Sequence, residues 1–335
     1  MSEVPDAAMP APLRTYRSLG HLLDTGVNLF GPRIFIEYEG RNISYQEFSV
    51  YVDHCAAMLK NLGFSPGDRL GLYFPNTPFH PAFLFAAIKL GGVCVHITPL
   101  DADREIEHKI RDAGIRFVAT VNDEPMFSRA FRLAEEGAIE QLVVVDEAYW
   151  KRNPVSDGFA GIQYFGYVGI LESSDPTKPD YPEMTSDDLA FIQYTGGTTG
   201  SPKGAMLTHG NLTSAVQCFN AGLYGEAYWG SPGERHMGLL PLFHIYSLVA
   251  ILLRAMICGD TIYLRRSFDA LKVLDDIETY KITWFFAVPT MLIGLMEAPD
   301  FGERDLSSLK LCASGGAPLP LEVARRFERV TGRAV

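Results

Sequence analysis

The residues best suited to chemistry in this sequence lie between positions 195 and 204, which read T-G-G-T-T-G-S-P-K-G. They follow an apolar run at 189–192 and contain many hydrogen-bond donors but few groups that could fill a core. Glycines let the backbone approach a ligand closely, hydroxyl and amide groups can surround phosphate oxygens, and Lys203 adds a positive charge. The stretch therefore predicts a loop that binds a polyphosphate.

Two other interpretations of this stretch fit the residues less well. The ordinary P-loop needs G-x-x-x-x-G-K-[ST], but alignment on Lys203 puts Pro202 at the second glycine and Gly204 at the Ser/Thr position. A flexible linker is compatible with Gly/Ser-rich composition. Linkers rarely carry apolar residues such as Ile192 before them and Leu207 after them, so a phosphate loop of another kind is favoured.

Two further turns follow predicted strands, where open α/β sheets bind their ligands. His244 lies in P-L-F-H-I-Y after the strand H-M-G-L-L, and the pair Gly315 and Gly316 follows the strand predicted at 309–313. The glycines would let a flat group lie against the backbone. Taken alone, a single histidine or a glycine pair at a turn is more often structural, so both roles stay open on this evidence.

Residues 194–209, Y-T-G-G-T-T-G-S-P-K-G-A-M-L-T-H, resemble the phosphate-binding signature of the adenylate-forming superfamily. That superfamily comprises acyl-CoA synthetases, nonribosomal-peptide adenylation domains and beetle luciferases. The signature is most similar to the fatty acyl-CoA ligase branch, and the resemblance runs from about residue 20 to the end of the chain. It implies an α/β fold of successive, mostly parallel βαβ subdomains, as in the N-terminal domain of adenylate-forming enzymes.

The resemblance implies a role for each matching residue. Phosphate binding would fall to Thr195, Gly196, Gly197, Thr198, Thr199, Gly200, Ser201 and Lys203, and adenine binding to Gly315, Gly316, Ala317 and Pro318. Lys203 and His244 are the catalytic candidates, while His244, Tyr246, Pro289 and Met291 are the candidates for lining the acyl site. No residue is assigned as a metal ligand.

The implied reaction joins a carboxylic acid, of medium or long chain length, to coenzyme A. The carboxylate attacks the α-phosphorus of ATP to give acyl-AMP and pyrophosphate, and the thiol then displaces AMP. ATP, Mg²⁺ and coenzyme A are the implied cofactors. Three alternatives stay open: an aryl acid or dicarboxylate as substrate, a carrier protein as acceptor, or a non-catalytic nucleotide-binding module.

The chain stops at Val335, where the resembled family continues to a Y-G-x-T-E segment, a T-G-D aspartate and a small carboxy-terminal domain. The expectation from this departure is an amino-terminal portion of a longer enzyme. Such a portion would have little ligase activity by itself.

Composition narrows the classes of protein further. The 335 residues are 47% hydrophobic and 21% charged, as in globular proteins, and the net charge of −11 argues against a nucleic-acid-binding surface. No secretory signal or run of about twenty apolar residues is present. Five cysteines are scattered singly, which predicts buried, reduced thiols and a cytoplasmic protein. Oligomeric state is not predicted.

Periodicity supplies the elements that would hold these residues in place. Residues 1–14 read as a loose tail, 15–186 as a first α/β subdomain with an irregular connection from 146, and 187–335 as a second subdomain, incomplete at its end. A hairpin is predicted at 34–44, followed by a helix with the capping box Ser44 and Glu47. Strands are expected at 69–74, 93–97, 117–121, 141–145, 189–194, 205–208, 237–240, 261–264, 284–287 and 309–313, and helices at 78–90, 103–113, 125–136, 211–221, 248–258, 270–279, 290–297 and 321–330.

Overall fold

Helices and strands alternate along the part of the chain that the computed structural model describes, which is residues 15–147, 159–164, 170–171, 179–195, 202–224 and 233–335. The helices are α1 (Leu19–Phe30), α2 (Tyr45–Asn61), α3 (Phe79–Lys89), α4 (Asp103–Ala113), α5 (Met126–Glu135), α6 (His209–Tyr224), α7 (Ile245–Ser247), α8 (Arg254–Cys258), α9 (Ala270–Tyr280), α10 (Pro289–Met296) and α11 (Leu321–Thr331). The strands are β1 (Ile34–Tyr38), β2 (Arg41–Ser44), β3 (Arg69–Tyr73), β4 (Val93–His96), β5 (Phe117–Val121), β6 (Gln141–Val145), β7 (Phe159–Tyr164), β8 (Ile170–Leu171), β9 (Leu189–Thr195), β10 (Lys203–Thr208), β11 (Arg235–Gly238), β12 (Thr261–Leu264), β13 (Trp284–Ala287) and β14 (Leu311–Ser314).

Among the described residues these strands form two sheets. Sheet I has the order β14-β13-β11-β12-β1-β2 and is parallel except for the β1–β2 hairpin. Sheet II has the order β10-β9-β4-β3-β5-β6-β7-β8, with a parallel centre from β9 to β6 and antiparallel pairs at both sides. The predicted class, α/β with mostly parallel sheets, is confirmed.

The predicted hairpin at 34–44 and the helix after it form as expected. Ser44 caps α2 by accepting a hydrogen bond from the Glu47 amide at 3.1 Å, and the Glu47 carboxylate accepts from the Ser44 amide at 2.7 Å. These two bonds satisfy backbone donors that the first helical turn cannot. The helix therefore begins where the local sequence specifies it.

Two predictions about the elements were wrong, and one helix was not predicted. Residues 146–186 were expected to be irregular, but β7 and β8 lie within them and extend sheet II. The single helix expected at 248–258 begins at Ile245 and contains a π-helical segment, Leu248–Leu253. Helix α1 had no predicted counterpart, since two glycines lower the helix propensity of its sequence.

Sheet membership also crosses the predicted subdomain boundary. Strands β1 and β2, from the first part of the chain, complete sheet I, whereas β9 and β10, from beyond residue 187, complete sheet II. The two halves of the chain therefore interleave. The division at residues 186 and 187 stays a prediction, and the predicted tail at 1–14 lies outside the described residues.

A continuous apolar core runs under both sheets. Helix α3 is buried along its whole length and contacts α1 and α2, which explains why its sequence is apolar on all sides. A second cluster of buried apolar side chains, including Phe285, Leu292 and Phe327, lies where α9, α10 and α11 pack against sheet I. Both clusters hold the carboxyl ends of the parallel strands rigidly.

Helices α1 and α8 approach each other closely at Gly26. A Cβ atom at this position would lie 2.5 Å from the Met256 carbonyl oxygen and 2.7 Å from its Sδ. Gly26→Ala is therefore expected to lower the free energy of unfolding by about 1–3 kcal/mol, because backbone must move. Gly222→Ala is the matched control, since nothing lies within 4 Å of that helical position and the change should stabilise by up to about 1 kcal/mol. Urea unfolding measures both; equal stabilisation would contradict the close contact.

Four of the five cysteines are buried as predicted, namely Cys55, Cys94, Cys258 and Cys312. Cys218 is exposed, so the prediction was wrong for this thiol. It lies in α6 between the buried residues Val216 and Asn220, and a residue two positions from each faces the opposite side of the helix.

Among the described residues, no helix combines the length and apolar character needed to cross a bilayer.

Candidate functional site

The predicted phosphate loop connects two hydrogen-bonded strands of sheet II. Strands β9 and β10 pair antiparallel, with Thr195 opposite Lys203 at the point where the loop leaves the sheet. Both of these residues are exposed. The other predicted phosphate-binding residues, Gly196, Gly197, Thr198, Thr199, Gly200 and Ser201, lie outside the described residues. The described structure thus fixes the two ends of the loop, including its lysine.

Contacts with α4 hold the base of this hairpin. The Tyr194 hydroxyl donates to the Asp112 carboxylate at 2.5 Å, and His108 Nε2 donates to the Pro202 carbonyl at 3.0 Å. Burial, followed by the hydrogen bond with Asp112 and its charge, raises the pKa of the Tyr194 phenol, which remains a donor at neutral pH. Because both ends of the loop are anchored, Thr195 and Lys203 have a defined position relative to sheet II.

His244 lies in the turn that connects β11 with α7. Its Nδ1 accepts a hydrogen bond from the Tyr246 amide at 3.3 Å and so caps the short helix, and its ring is exposed. The buried side chain of Asn76 holds the chain before this turn: it donates to the Leu240 carbonyl at 3.2 Å and accepts from the Leu242 amide at 2.9 Å. The backbone around His244 is therefore fixed by side-chain hydrogen bonds.

The His244 turn is also tied to the phosphate-loop strand. Gln193, two residues before Thr195 on β9, donates from Nε2 to the Phe243 carbonyl at 3.4 Å. The motifs themselves did not include Gln193 or Asn76. For Gln193 the available signal was a polar residue inside an otherwise apolar strand, which usually has a specific partner; Asn76 lies between β3 and α3.

The predicted adenine segment lies against Tyr246. Gly315 follows β14 and donates its amide to the Ala287 carbonyl at 3.0 Å. A Cβ atom at Gly315 would lie 2.8 Å from a ring carbon of Tyr246, so only glycine allows this approach. Gly316 adopts a φ of +77°, a region that favours glycine. Ala317 and Pro318, also predicted to contact adenine, are exposed beside it.

The predicted acyl-site residues follow the neighbouring strand. Pro289 is the first residue of α10 and is buried, whereas Met291 is half-buried against both apolar clusters. Val288, immediately before them, lies 3.5 Å from the position that a Cβ of Gly316 would take. The segments after β11, β13 and β14 therefore meet at the carboxyl ends of adjacent parallel strands, which is where α/β sheets bind ligands.

The described segments bring polar groups and an aromatic ring to the same strand ends. The hairpin supplies a cation and a hydroxyl, which are groups that can bind an anion, and the Gly315 backbone lies against the Tyr246 ring. The described residues contain no group of three or more His, Cys, Asp or Glu side chains placed to hold a metal ion.

A cavity of about 420 Å³ lies elsewhere on the molecule. Its walls come from the start of α1, the end of α3 and residues 181–186, and it shares no lining residue with the predicted site. Lys89 in its wall is 2.8 Å from the Asp24 carboxylate and 3.9 Å from that of Asp53. The cavity therefore does not belong to the segments described above.

Comparison with known proteins identifies the family. The family model described as "AMP-binding enzyme" matches residues 23–335. The chain is 30% identical to a long-chain-fatty-acid–CoA ligase of Bacillus subtilis over 340 residues, which is 97% of this chain and 59% of that protein. It is 31% identical to a feruloyl-CoA synthase of Amycolatopsis over 292 residues, covering 87% of this chain and 53% of that one. The chain thus spans somewhat more than half the length of these relatives.

Solved structures show the same fold. The N-terminal domain of FACL13 from Mycobacterium tuberculosis superimposes with a TM-score of 0.79 at 24% identity, covering 94% of this chain and 73% of that one. The anthranilate CoA ligase AuaEII, solved with anthranoyl-AMP, gives a TM-score of 0.81 at 22% identity, covering 97% of this chain and 59% of that one. With the family match over nearly its whole length, the chain belongs to the AMP-binding enzyme family, the adenylate-forming superfamily of acyl-CoA ligases.

Proposed function

We propose that this chain binds ATP and a carboxylic acid for adenylation, as part of an enzyme that makes an acyl-CoA thioester. The observation that carries the proposal is the meeting of three segments: the Lys203 hairpin, the His244 turn linked to it through Gln193, and the Gly315 turn against Tyr246. The Lys203 hairpin suits phosphate binding, and the Gly315 turn suits adenine binding. His244 lies in the turn tied to the strand that leads into the phosphate loop.

The first step brings a carboxylate oxygen to the α-phosphorus of ATP. A new oxygen–phosphorus bond forms, the bond to the β-phosphate breaks, and pyrophosphate leaves with its electron pair. Because both reactants are anions, the site has to reduce their repulsion and align them. We assign to Lys203 the binding of the β- and γ-phosphates, together with Thr195, Thr198, Thr199 and Ser201, so that charge moves toward the leaving group. Mg²⁺ would add positive charge when bound to the triphosphate, and no step is assigned to it.

His244, Tyr246, Pro289 and Met291 are proposed to line the junction between the acyl group and the nucleotide. The Tyr246 ring lies 6.1 Å from that of Phe286 in an edge-to-face arrangement, and burial raises the pKa of its hydroxyl to about 12, so the hydroxyl stays protonated. In the second step the coenzyme A thiol would lose its proton to solvent and attack the acyl carbonyl. A carbon–sulfur bond would form, the bond from the carbonyl carbon to the phosphate oxygen would break, and AMP would leave with that electron pair.

A medium- or long-chain fatty acid is the proposed substrate, in keeping with the fatty-acid ligases among the relatives. An aryl acid is the second candidate, because feruloyl-CoA synthase and anthranilate CoA ligase are among the matches and aromatic rings flank the junction. A panel of hydrolysis-resistant acyl-adenylate analogues with decanoyl, palmitoyl and feruloyl groups distinguishes them. Tightest binding of the feruloyl analogue would reject the fatty-acid assignment.

Calorimetric titration with ATP tests the phosphate-loop assignment. Lys203→Ala is expected to weaken ATP binding about tenfold, because a charge-assisted hydrogen bond contributes about 1.5 kcal/mol. Lys272→Ala is the matched control, since this exposed lysine lies in α9, outside the proposed site. Equal affinities of wild type and Lys203→Ala would contradict the assignment, and failure of the wild type to bind ATP would contradict the proposed function.

A further inference from the structure

Gln193 has contacts that the proposed reaction does not use. Its Nε2 donates to the Phe243 carbonyl at 3.4 Å, and its Oε1 lies 2.8 Å from His96 Nδ1. His96 is the last residue of β4, the neighbour of β9 in sheet II. We propose that Gln193, oriented by His96, is a positioning residue that fixes the His244 turn relative to the phosphate-loop strand; this inference rests on the proposed function of the site.

The Phe243 carbonyl, the last acceptor in this series of three groups, determines the direction of each hydrogen bond. The Phe243 carbonyl can only accept, so Gln193 has to present its NH₂ group to it. The Gln193 carbonyl oxygen then faces His96, and this oxygen can also only accept. His96 Nδ1 must therefore carry the ring proton. The three groups form one directional chain, from the His96 ring through the Gln193 amide to the backbone next to His244.

The surroundings of His96 keep this arrangement from changing. His96 is 2% exposed, and its Nε2 has no hydrogen-bond partner among the described residues. A proton on Nε2 would bury an unpaired donor and also set two acceptors against each other. Burial lowers the pKa of His96 to about 4; the hydrogen bond that His96 donates to Gln193 and the Phe243 backbone oppose this effect, and nearby Lys109 and His244 lower the pKa further. The ring is thus neutral at pH 7.

A second buried histidine, His80, packs against the His96 ring. The His80 ring centroid lies 5.1 Å from that of His96, and burial lowers the pKa of His80 well below its usual range. The His96 ring also packs against Phe191, with 5.2 Å between their centroids. Packing against these two rings limits rotation of the His96 ring, so its Nδ1 stays directed at Gln193.

This chain of contacts connects parts of the site that belong to different sheets. Gln193 is two residues from Thr195 in sheet II, and Phe243 directly precedes His244 in the turn after a sheet I strand. A ligand that extends from the phosphate loop to His244 would need these segments at a fixed separation. A ligand confined to the phosphate loop would not.

Comparing these two kinds of ligand distinguishes a positioning role of Gln193 from a general loss of structure. α,β-Methylene-ATP, which resists cleavage at the α-phosphorus, would extend from the loop past the His244 turn to the surface assigned to adenine, whereas inorganic tripolyphosphate would occupy only the loop. Gln193→Leu, which removes both hydrogen bonds, is expected to weaken binding of α,β-methylene-ATP about tenfold and that of tripolyphosphate less than about twofold. Gln46→Leu is the matched control, because Gln46 is exposed on α2, and neither ligand should be affected.

Substitution of His96 provides the rescue experiment. An asparagine side-chain amide takes about the position of a histidine Nδ1 and can donate in its place. His96→Asn is therefore expected to bind α,β-methylene-ATP like the wild type, and His96→Leu like Gln193→Leu. In ¹⁵N-histidine NMR spectra of the wild type, Nδ1 of His96 should show the protonated, pyrrole-type shift.

The outcomes separate this inference from the proposed function. If the wild type does not bind α,β-methylene-ATP, the proposed function fails and the inference with it. If the wild type binds and Gln193→Leu binds equally well, or loses both ligands to the same extent, only the positioning role of Gln193 is overturned. A His96 ring protonated on Nε2 in the wild type would likewise overturn it.

Discussion

The Arg254→Leu variant is expected to lose about 3–5 kcal/mol of unfolding free energy, because it leaves a buried carboxylate without its cation. Arg254 is 1% exposed, its guanidinium lies over the Trp284 ring at 3.6 Å, and it pairs with Asp260, which is fully buried. Asp260 also accepts from His236 Nε2 at 2.9 Å and from the Glu234 amide at 3.1 Å. Urea unfolding at pH 7 measures the loss.

The pH dependence of this variant identifies the carboxylate as the cause. Burial alone would raise the pKa of Asp260, but Arg254 and His236 outweigh it, and the pKa lies below its usual range. The wild type therefore gains stability from Asp260 above the unfolded-state pKa of about 4. Without Arg254, burial dominates and the pKa rises above that value, so the variant loses stability as pH increases. The difference between the two proteins should be largest at neutral pH and shrink below about pH 4.

A double variant tests whether the uncompensated charge of Asp260 causes the loss of stability. Arg254→Leu combined with Asp260→Asn removes the cation and the negative charge together, and should be more stable than Arg254→Leu alone. If the single variant is no less stable than the double, the pair does not compensate buried charge, and the lost packing of Arg254 against Trp284 becomes the explanation.

Gly315→Val is expected to weaken binding of an acyl-sulfamoyl adenosine about 100-fold, since overpacking costs about 1–3 kcal/mol and the new side chain would occupy the surface assigned to adenine. The added atoms would collide with Tyr246, whose ring carbons lie 2.8 Å and 3.0 Å from a Cβ at this position. Calorimetric titration of the acyl-sulfamoyl adenosine into the variant measures the effect.

Two variants control for this prediction. Gly302→Val changes a glycine with nothing within 4 Å and should leave binding unchanged. Gly315→Val combined with Tyr246→Ala removes the collision, so it should recover part of the lost affinity if Tyr246 transmits the effect. Binding by Gly315→Val as tight as that of the wild type would reject the assignment of this turn to the nucleotide.

Local sequence signals predicted the elements that depend on neighbours along the chain. The capping box of Ser44 and Glu47 specified the start of α2, and the alternation of apolar strands with amphipathic helices specified the mostly parallel sheets. The loop ends at Thr195 and Lys203, the turn at His244 and the glycine pair after β14 were all recognisable for the same reason. Each is a short motif whose geometry follows from its own residue types.

Relations between distant segments could not be predicted in this way. The pairing of β1 with β12 brings together residues more than two hundred positions apart, and no short-range pattern specifies it. Strands β7 and β8 were missed because glycines and prolines in that part of the chain favour loops, whereas pairing of β7 with β6 and of β8 with β7 overrides that preference. The exposed side of α6 at Cys218 likewise depends on which face meets the core.

The sequence by itself determined the family, the α/β class and the residue types available for binding a nucleotide, because motifs and periodicity are local properties. Only the tertiary structure decided that Gln193 joins the phosphate-loop strand to the His244 turn, that Tyr246 lies against Gly315, and that Arg254 compensates Asp260. These contacts come from sheet order and burial. A polar group is constrained by whatever the fold brings within hydrogen-bond distance, which no single segment specifies.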